Sequence, residues 1–149
     1  MLDATRLAPQ LYIGSAPSLG PQLARAGFDV LVLCAAEYQP PLRKFPGLTA
    51  VVHAPFDDDV LDEQAIDMAV TAAMDVQDHV MDGNRVLVTC MAGRNRSGLV
   101  CALALHLLTC CDPRDAIIHI KRTRVGIDGG EALTNENFIE FLRTFRLAC

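Results

Sequence analysis

Residues 85–98 read Arg85-Val86-Leu87-Val88-Thr89-Cys90-Met91-Ala92-Gly93-Arg94-Asn95-Arg96-Ser97-Gly98. Arg85–Thr89 is a short apolar run, the pattern of a strand covered on both faces. From Ser97 to Thr109 the chain is apolar nearly all round, as expected of a central helix. A buried strand, a loop carrying a glycine and a buried helix are the repeating parts of an α/β sheet covered by helices.

The same alternation continues on either side. Leu11-Tyr12-Ile13 reads as a short strand closed by Gly14, and Pro21–Ala26 as a helical segment ended by Gly27. Val30–Cys34 is a continuous apolar run of strand length. Glu37–Gly47, rich in proline, is a loop, and Thr49–His53 a third strand with β-branched residues. After an acidic loop at Phe56–Asp59, the segment Asp62–Met81 places Ile66, Ala69, Val70, Ala73, Val76 and Val80 along one helical stripe. Asp112 and Pro113 supply an N-cap and a first helical residue for a helix running to about Arg122. A glycine-rich loop, Gly126–Gly130, leads to a last helix near Asn135–Leu147.

The chain has 149 residues, 51% of them hydrophobic and 21% charged, so one domain over residues 1–149 with a real core is expected. That apolar content excludes a disordered chain. The longest apolar stretch, Leu99–Leu108, contains His106 and falls well short of the roughly 20 residues that span a bilayer. The start MLDATRLAPQ lacks a basic segment followed by an apolar one, so no secretory signal is expected there. A net charge of −5 disfavours long-range attraction to nucleic acid or anionic membranes, and neither is an expected partner.

Six cysteines, Cys34, Cys90, Cys101, Cys110, Cys111 and Cys149, show no CxxC pair and no regular spacing. They read as reduced cytoplasmic thiols rather than a disulfide framework, with Cys34 and Cys101 in the core. His53, His79, His106 and His119 are scattered away from ligand spacing to a cysteine, so neither metal nor other cofactor is expected.

Cys90 differs from the other five. A cysteine with arginine six positions on would occur about 0.4 times by chance in this composition, but requiring Gly93, Ser97 and Gly98 as well lowers that to on the order of 10⁻⁴. The chemistry explains the set. Backbone N–H groups turning inward over Met91, Ala92, Gly93, Arg94, Asn95 and Arg96 make an anion nest, and the helix beginning at Ser97 adds its positive end. Arg96 offers two parallel N–H donors to phosphoryl oxygens. The same field favours a thiolate at Cys90, the form that attacks phosphorus. The Arg94 side chain either enters the site mouth or lies in solvent.

A departing phosphate ester oxygen must be protonated, and a phosphocysteine must be hydrolysed by an activated water; one carboxyl group can serve both steps. Asp57, Asp58 and Asp59 are the candidates, and adjacent carboxylates raise one another's pKa. The alternative for this cluster is an acidic turn at the start of the helix near Asp62. Ser97 is either the helix N-cap or a hydroxyl donor to the Cys90 sulfur. Asn135 can cap the last helix. Lys121-Arg122-Thr123-Arg124 reads as a solvated helix end, with Arg124 able to flank the site.

Val88–Gly98 closely resembles the signature of cysteine-dependent protein phosphatases of the small dual-specificity group, within the protein tyrosine phosphatase superfamily. Leu11-Tyr12-Ile13-Gly14-Ser15 is similar to that family's opening strand, and Asn135-Glu136-Asn137-Phe138 to its late Asn-x-x-Phe segment. The resemblance implies a central, mostly parallel sheet of about four to five strands flanked by helices. It implies that Asp58, three positions after Pro55, is the acid, that Ser97 donates to Cys90 as the phosphocysteine breaks down, and that Asn135 steadies the phosphate loop. Thr89 departs from the pattern. The family usually has histidine there, which helps hold the cysteine as thiolate, and the donors that remain here are the nest, the helix end and Arg96.

The expected activity is hydrolysis of phosphotyrosine in proteins, extending to phosphoserine and phosphothreonine, through a phosphocysteine. The alternatives are a phosphatase for phosphoinositides or RNA 5′ phosphates, suggested by Arg94 and the Gly-x-Asn-Arg order, and a phosphate-binding adaptor, kept open by Thr89. Peroxide would be expected to oxidise Cys90, with Cys34 or another thiol resolving it as a disulfide.

Overall fold

Five strands form one sheet in the computed structural model, which describes residues 2–146. They are β1 (Ala4–Ala8), β2 (Leu11–Ser15), β3 (Val30–Ala35), β4 (Ala50–Phe56) and β5 (Val86–Cys90), in the spatial order β1-β2-β5-β3-β4. β1 runs antiparallel to β2, and every other neighbouring pair is parallel. The helices are α1 (Gln22–Arg25), α2 (Glu63–Met81), α3 (Arg96–Thr109), α4 (Pro113–Thr123) and α5 (Glu136–Thr144). Cys149, and Leu147 where the last helix was expected to end, lie outside the described residues.

Alternation along the strands divides the core. Val30, Val32, Cys34, Val86, Val88 and Cys90 face the layer of α2 to α5. Leu31, Leu33 and Leu87 face the other way, toward Leu23, Phe28, Phe45 and Leu48. All residues of β3 and β5 are buried, which accounts for their unbroken apolar sequence.

Three elements depart from the sequence expectations. β1 was not anticipated, because Ala4-Thr5-Arg6-Leu7-Ala8 buries only Leu7 and the turn after it lacks a glycine; Gln10 takes the left-handed position instead, at φ 67°. β4 runs beyond His53 to Phe56 despite Pro55. As the edge strand it can lose a ladder N–H on its open side. α3 begins at Arg96, with Asn95 as N-cap, so Ser97 is a residue of the first turn and not the cap.

The other caps follow the sequence. Asp62 accepts a hydrogen bond from the Ala65 N–H at 2.8 Å, and Asp112 one from the Arg114 N–H at 2.9 Å. α2 buries Ala69, Ala72, Ala73 and Val76, small residues that allow it to approach α3 closely. In α3 every residue from Arg96 to His106 is buried. Among the described residues no helix is long and apolar enough to cross a membrane.

The central helix is the element whose packing the rest of the layer shares. Truncating Leu103, which is 1% exposed, to alanine should destabilise the protein by about 2–5 kcal/mol, read as a lower urea midpoint at unchanged slope.

Candidate active site

Parallel strands bring their carboxyl ends to one edge of the sheet. Ser15 at the end of β2, Glu37 just past β3, Asp57 and Asp58 past β4, and Cys90 at the end of β5 gather there. Cys90 is 4% exposed, and its Sγ lies 3.1 Å from the Oγ of Ser97, the second residue of α3.

The loop from Cys90 to Arg96 turns its carbonyl groups outward. Met91 O accepts from the Ala16 N–H, Ala92 O from the Ile127 N–H, Arg94 O from the Leu133 N–H and Asn95 O from the Leu99 N–H. Gly93 O accepts from Arg124 Nε at 2.9 Å, and Ala92 O takes a second bond from Arg124 Nη2 at 3.2 Å. In a trans peptide the N–H of the next residue points opposite to the carbonyl. Five outward carbonyls therefore set the N–H groups of residues 92–96 toward the inside of the loop, the geometry of an anion nest.

Gly93 makes the turn possible. Its φ is +71°, and a Cβ there would strike the Gly14 carbonyl and the Arg124 guanidinium.

Arg96 is buried, and its guanidinium is held by both Glu37 carboxylate oxygens, with Nη2 at 3.1 Å from Oε2, and by the Phe56 carbonyl, 3.3 Å from Nη1. Burial works against its charge, but Glu37 and the nearby Cys90 and Asp58 outweigh that and raise its pKa. Arg96 in turn holds the Glu37 carboxyl below the usual carboxylate range. Among the described residues, Arg96 Nε is the one buried side-chain nitrogen or oxygen with no hydrogen-bond partner.

Asp58 lies in the exposed turn after β4 and is clamped by two amides. Asn95 Nδ2 donates to Oδ2 at 3.0 Å, and Asn135 Nδ2 donates to Oδ1 at 2.8 Å. Asn95 Oδ1 accepts from the Thr134 and Asn135 N–H groups at 2.7 and 3.0 Å. Asn135 also caps α5, accepting from the Asn137 and Phe138 N–H groups. Asp57 and Asp59 make no side-chain hydrogen bond or ion pair among the described residues.

Several expected side chains take other positions. The Arg94 side chain enters neither the site mouth nor free solvent. It lies across the 126–134 segment, donating to Glu131 O at 2.8 Å and meeting Asp128 and Thr134, and Cβ atoms at Gly126 or Gly130 would collide with it. Asn95, expected in the phosphate nest, contributes its backbone there while its amide faces Asp58 and α5. Thr89, on the opposite face of β5 from Cys90, donates its hydroxyl to the Val32 carbonyl at 2.8 Å and makes no bond to the loop.

Lys121, Arg122 and Thr123 are exposed, as a solvated helix end should be, but Arg124 is not. It is 1% exposed, and beside its bonds to the loop carbonyls it pairs with Asp3, Nη1 to Oδ1 at 2.8 Å and Nη2 to Oδ2 at 2.7 Å. Asp3 also accepts from the Ser15 N–H, and the Arg124 bond above all holds its carboxyl below the ordinary range. Lys121 donates to the Ala132 and Leu133 carbonyls. Glu37 escaped the sequence reading, and Arg124, read as able to flank the site, was not expected to be buried behind the loop. Glu37 could have been found from its place directly after a parallel strand, whereas nothing local to Arg124 points to a partner 121 residues away.

Cys34 and Cys101 are wholly buried, and burial, with Cys90 nearby, pushes both thiols well up. Among the described residues no group of three His, Cys, Asp or Glu side chains could hold a metal ion.

No protein-family model matches the chain. It is 39% identical over 102 residues to human dual specificity phosphatase 28, an alignment covering 67% of this chain and 56% of that protein. Against the mouse protein of the same name the identity is 37% over 102 residues, covering 67% and 60%. The chain thus spans little more than half the length of the curated relatives it matches. Among solved structures it superposes on a mouse dual specificity phosphatase complexed with zinc tungstate at a TM-score of 0.79, with 28% identity, covering 96% of this chain and 86% of that one. On human DUSP28 the TM-score is 0.77 at 28% identity, covering 96% and 92%.

The pair between buried Arg124 and partly exposed Asp3 makes loop order depend on pH. Because the folded-state pKa of Asp3 is lowered, its contribution is present above the usual carboxylate range and is lost as pH falls through the folded value. Asp3→Asn should therefore lower stability at neutral pH and flatten the acid limb of a stability-against-pH curve. Arg124→Met, which takes the donor from the Gly93 carbonyl and leaves the partly exposed Asp3 carboxylate without its cation, should cost about 1–3 kcal/mol.

Proposed function

We propose that this chain is a small dual-specificity phosphatase of the protein tyrosine phosphatase superfamily, as its similarity to the relatives above supports, and that residues 1–149 form one catalytic domain that hydrolyses phosphate monoesters on proteins. The substrate is phosphotyrosine, with phosphoserine and phosphothreonine as the wider range. The observation that carries the reading is the unpartnered Arg96 Nε, a buried cationic donor beside a loop whose carbonyls all face outward. A protein leaves such a donor unmade where a ligand supplies the acceptor, since an unmet buried polar group otherwise costs about 1–3 kcal/mol.

The loop N–H groups and Arg96 bind the three non-bridging phosphoryl oxygens, placing phosphorus over the Cys90 Sγ. The thiolate attacks phosphorus as the ester bond breaks, and the leaving oxygen takes a proton from Asp58. A phosphocysteine results. Asp58, now a carboxylate, removes a proton from a water molecule that attacks the same phosphorus, and the P–S bond breaks as inorganic phosphate forms. The Ser97 hydroxyl, 3.1 Å from the sulfur, stabilises the departing thiolate. Asn95 and Asn135 support the reading of Asp58 as the acid, because they orient that carboxylate and neither of its neighbours. Asn135 serves the loop through its backbone bond to Asn95 and the acid through its amide. Glu37 positions the Arg96 fork through two of its nitrogens, which leaves Nε for phosphate.

Purified, reduced protein should turn over an aryl phosphate. Cys90→Ser should abolish turnover, Arg96→Lys should lower kcat/KM by about 10²–10³-fold, and Asp58→Asn should lower kcat by about 10²-fold near neutral pH. Absence of turnover by the intact protein would overturn the assignment; a larger loss from Asp57→Asn or Asp59→Asn than from Asp58→Asn would move the acid to that residue.

A further inference from the structure

The acidic residues of this chain are unevenly distributed. Between Lys44 and Arg85 there are nine aspartates and glutamates and no lysine or arginine, so this one stretch is more negative than the whole chain at −5. It supplies β4, the turn that carries Asp58, and α2.

Where that stretch meets the edge of the active site it borders an open pocket of about 380 Å³ lined by Ala36, Asp57, Val60, Asp62, Ala65 and Met68, among others. The cavity adjoins the phosphate loop at two points. Ala36 precedes Glu37, which holds Arg96, and Asp57 precedes Asp58, which is clamped to Asn95. Its walls combine an apolar side, from Val60, Ala65 and Met68, with the carboxylates of Asp57 and Asp62.

Neither carboxylate forms an ion pair among the described residues. Asp62 uses one oxygen to cap α2, and with Glu63 it already meets the positive end of that helix. Its second oxygen and the whole Asp57 carboxylate are available. An apolar wall ending in two carboxylates is complementary to a lysine or arginine side chain, whose methylene stem packs on the wall while the cationic head meets the acids.

Resting on the phosphatase reading, we infer that this cavity is a specificity subsite for a basic residue flanking the phosphorylated residue of a protein substrate. The unpartnered Arg96 Nε anchors the phosphate, and the chain on one side of it then runs over the cavity. The same carboxylates repel a ligand with several phosphates. Inositol phosphates and RNA ends bring negative charge to a wall that has no cation to receive it.

The test uses the full chain and three phosphotyrosine peptides that differ only in the flanking residues: lysine, alanine or glutamate. Affinities are measured with Cys90→Ser, and kcat/KM with the intact protein. The lysine peptide should bind about five- to tenfold tighter than the alanine peptide at low salt, and the glutamate peptide more weakly than either. In Asp57→Asn/Asp62→Asn, where asparagine preserves the cap of α2, the three affinities should converge, as they should in wild-type background at high salt. Equal affinities at low salt, a preference that survives the double substitution, no binding of any peptide, or tighter binding of an inositol phosphate or a 5′-phosphorylated RNA would each overturn the inference. Loss of the hydrolase reading is seen separately, as absence of aryl phosphate turnover by the intact protein, because the affinity ratios are read without catalysis.

Discussion

Turning five successive N–H groups toward one point obliges five carbonyl groups to face the protein, and each of those needs a donor. This requirement organises much of the molecule outside the sheet. The connection after β2 supplies the Ala16 N–H, the segment after α4 supplies those of Ile127 and Leu133, and the Arg124 guanidinium supplies four bonds, two to loop carbonyls and two to the Asp3 carboxylate. The 126–134 segment, rich in glycine, is shaped around Arg94 for the same end, since its path brings the Ile127 and Leu133 N–H groups to the loop. An anion site made of backbone is therefore built from parts that touch no anion.

Side chains around the loop divide their hydrogen-bonding capacity between holding and acting. Arg96 commits two nitrogens to Glu37 and the Phe56 carbonyl, and keeps one. Asn95 spends its amide on Asp58 and on the start of α5, so the loop, the acid turn and the last helix share a single residue. Asn135 is engaged at its backbone N–H, its side-chain oxygen and its side-chain nitrogen together. Truncating either asparagine would release more than one element, and the effect would exceed that of one hydrogen bond.

The strands and helices were readable because burial on both faces leaves an unbroken apolar run, as in Val30–Cys34 and Val86–Val88, and because Asp62 and Asp112 announce helix starts in the local chemistry. The loop was readable because a nest, a helix end and an arginine must fall at fixed spacing. β1 was not, since a strand paired on one side with a single buried residue carries almost no period. Ser97 was ambiguous between cap and donor, and the structure puts it inside the first turn, after Asn95 at the N-cap position. The partners of Arg124 were unreadable for a different reason: they are Asp3, Thr5, Ala92 and Gly93, none of them near it in sequence, and a basic residue after a helix ordinarily belongs to solvent.

The contact between residues 3 and 124 also bears on when the loop can exist during synthesis and folding. The strand and helix that flank Cys90 are complete by residue 109, but the guanidinium that receives the Ala92 and Gly93 carbonyls enters the chain only with residue 124, and the Ile127 and Leu133 donors follow it. Closing so long a loop carries an entropy cost that must be met by contacts already formed. The reactive thiol is thus made early and its anion nest late, so a partly synthesised chain holds a cysteine without the ring of donors that would give it a phosphate to attack.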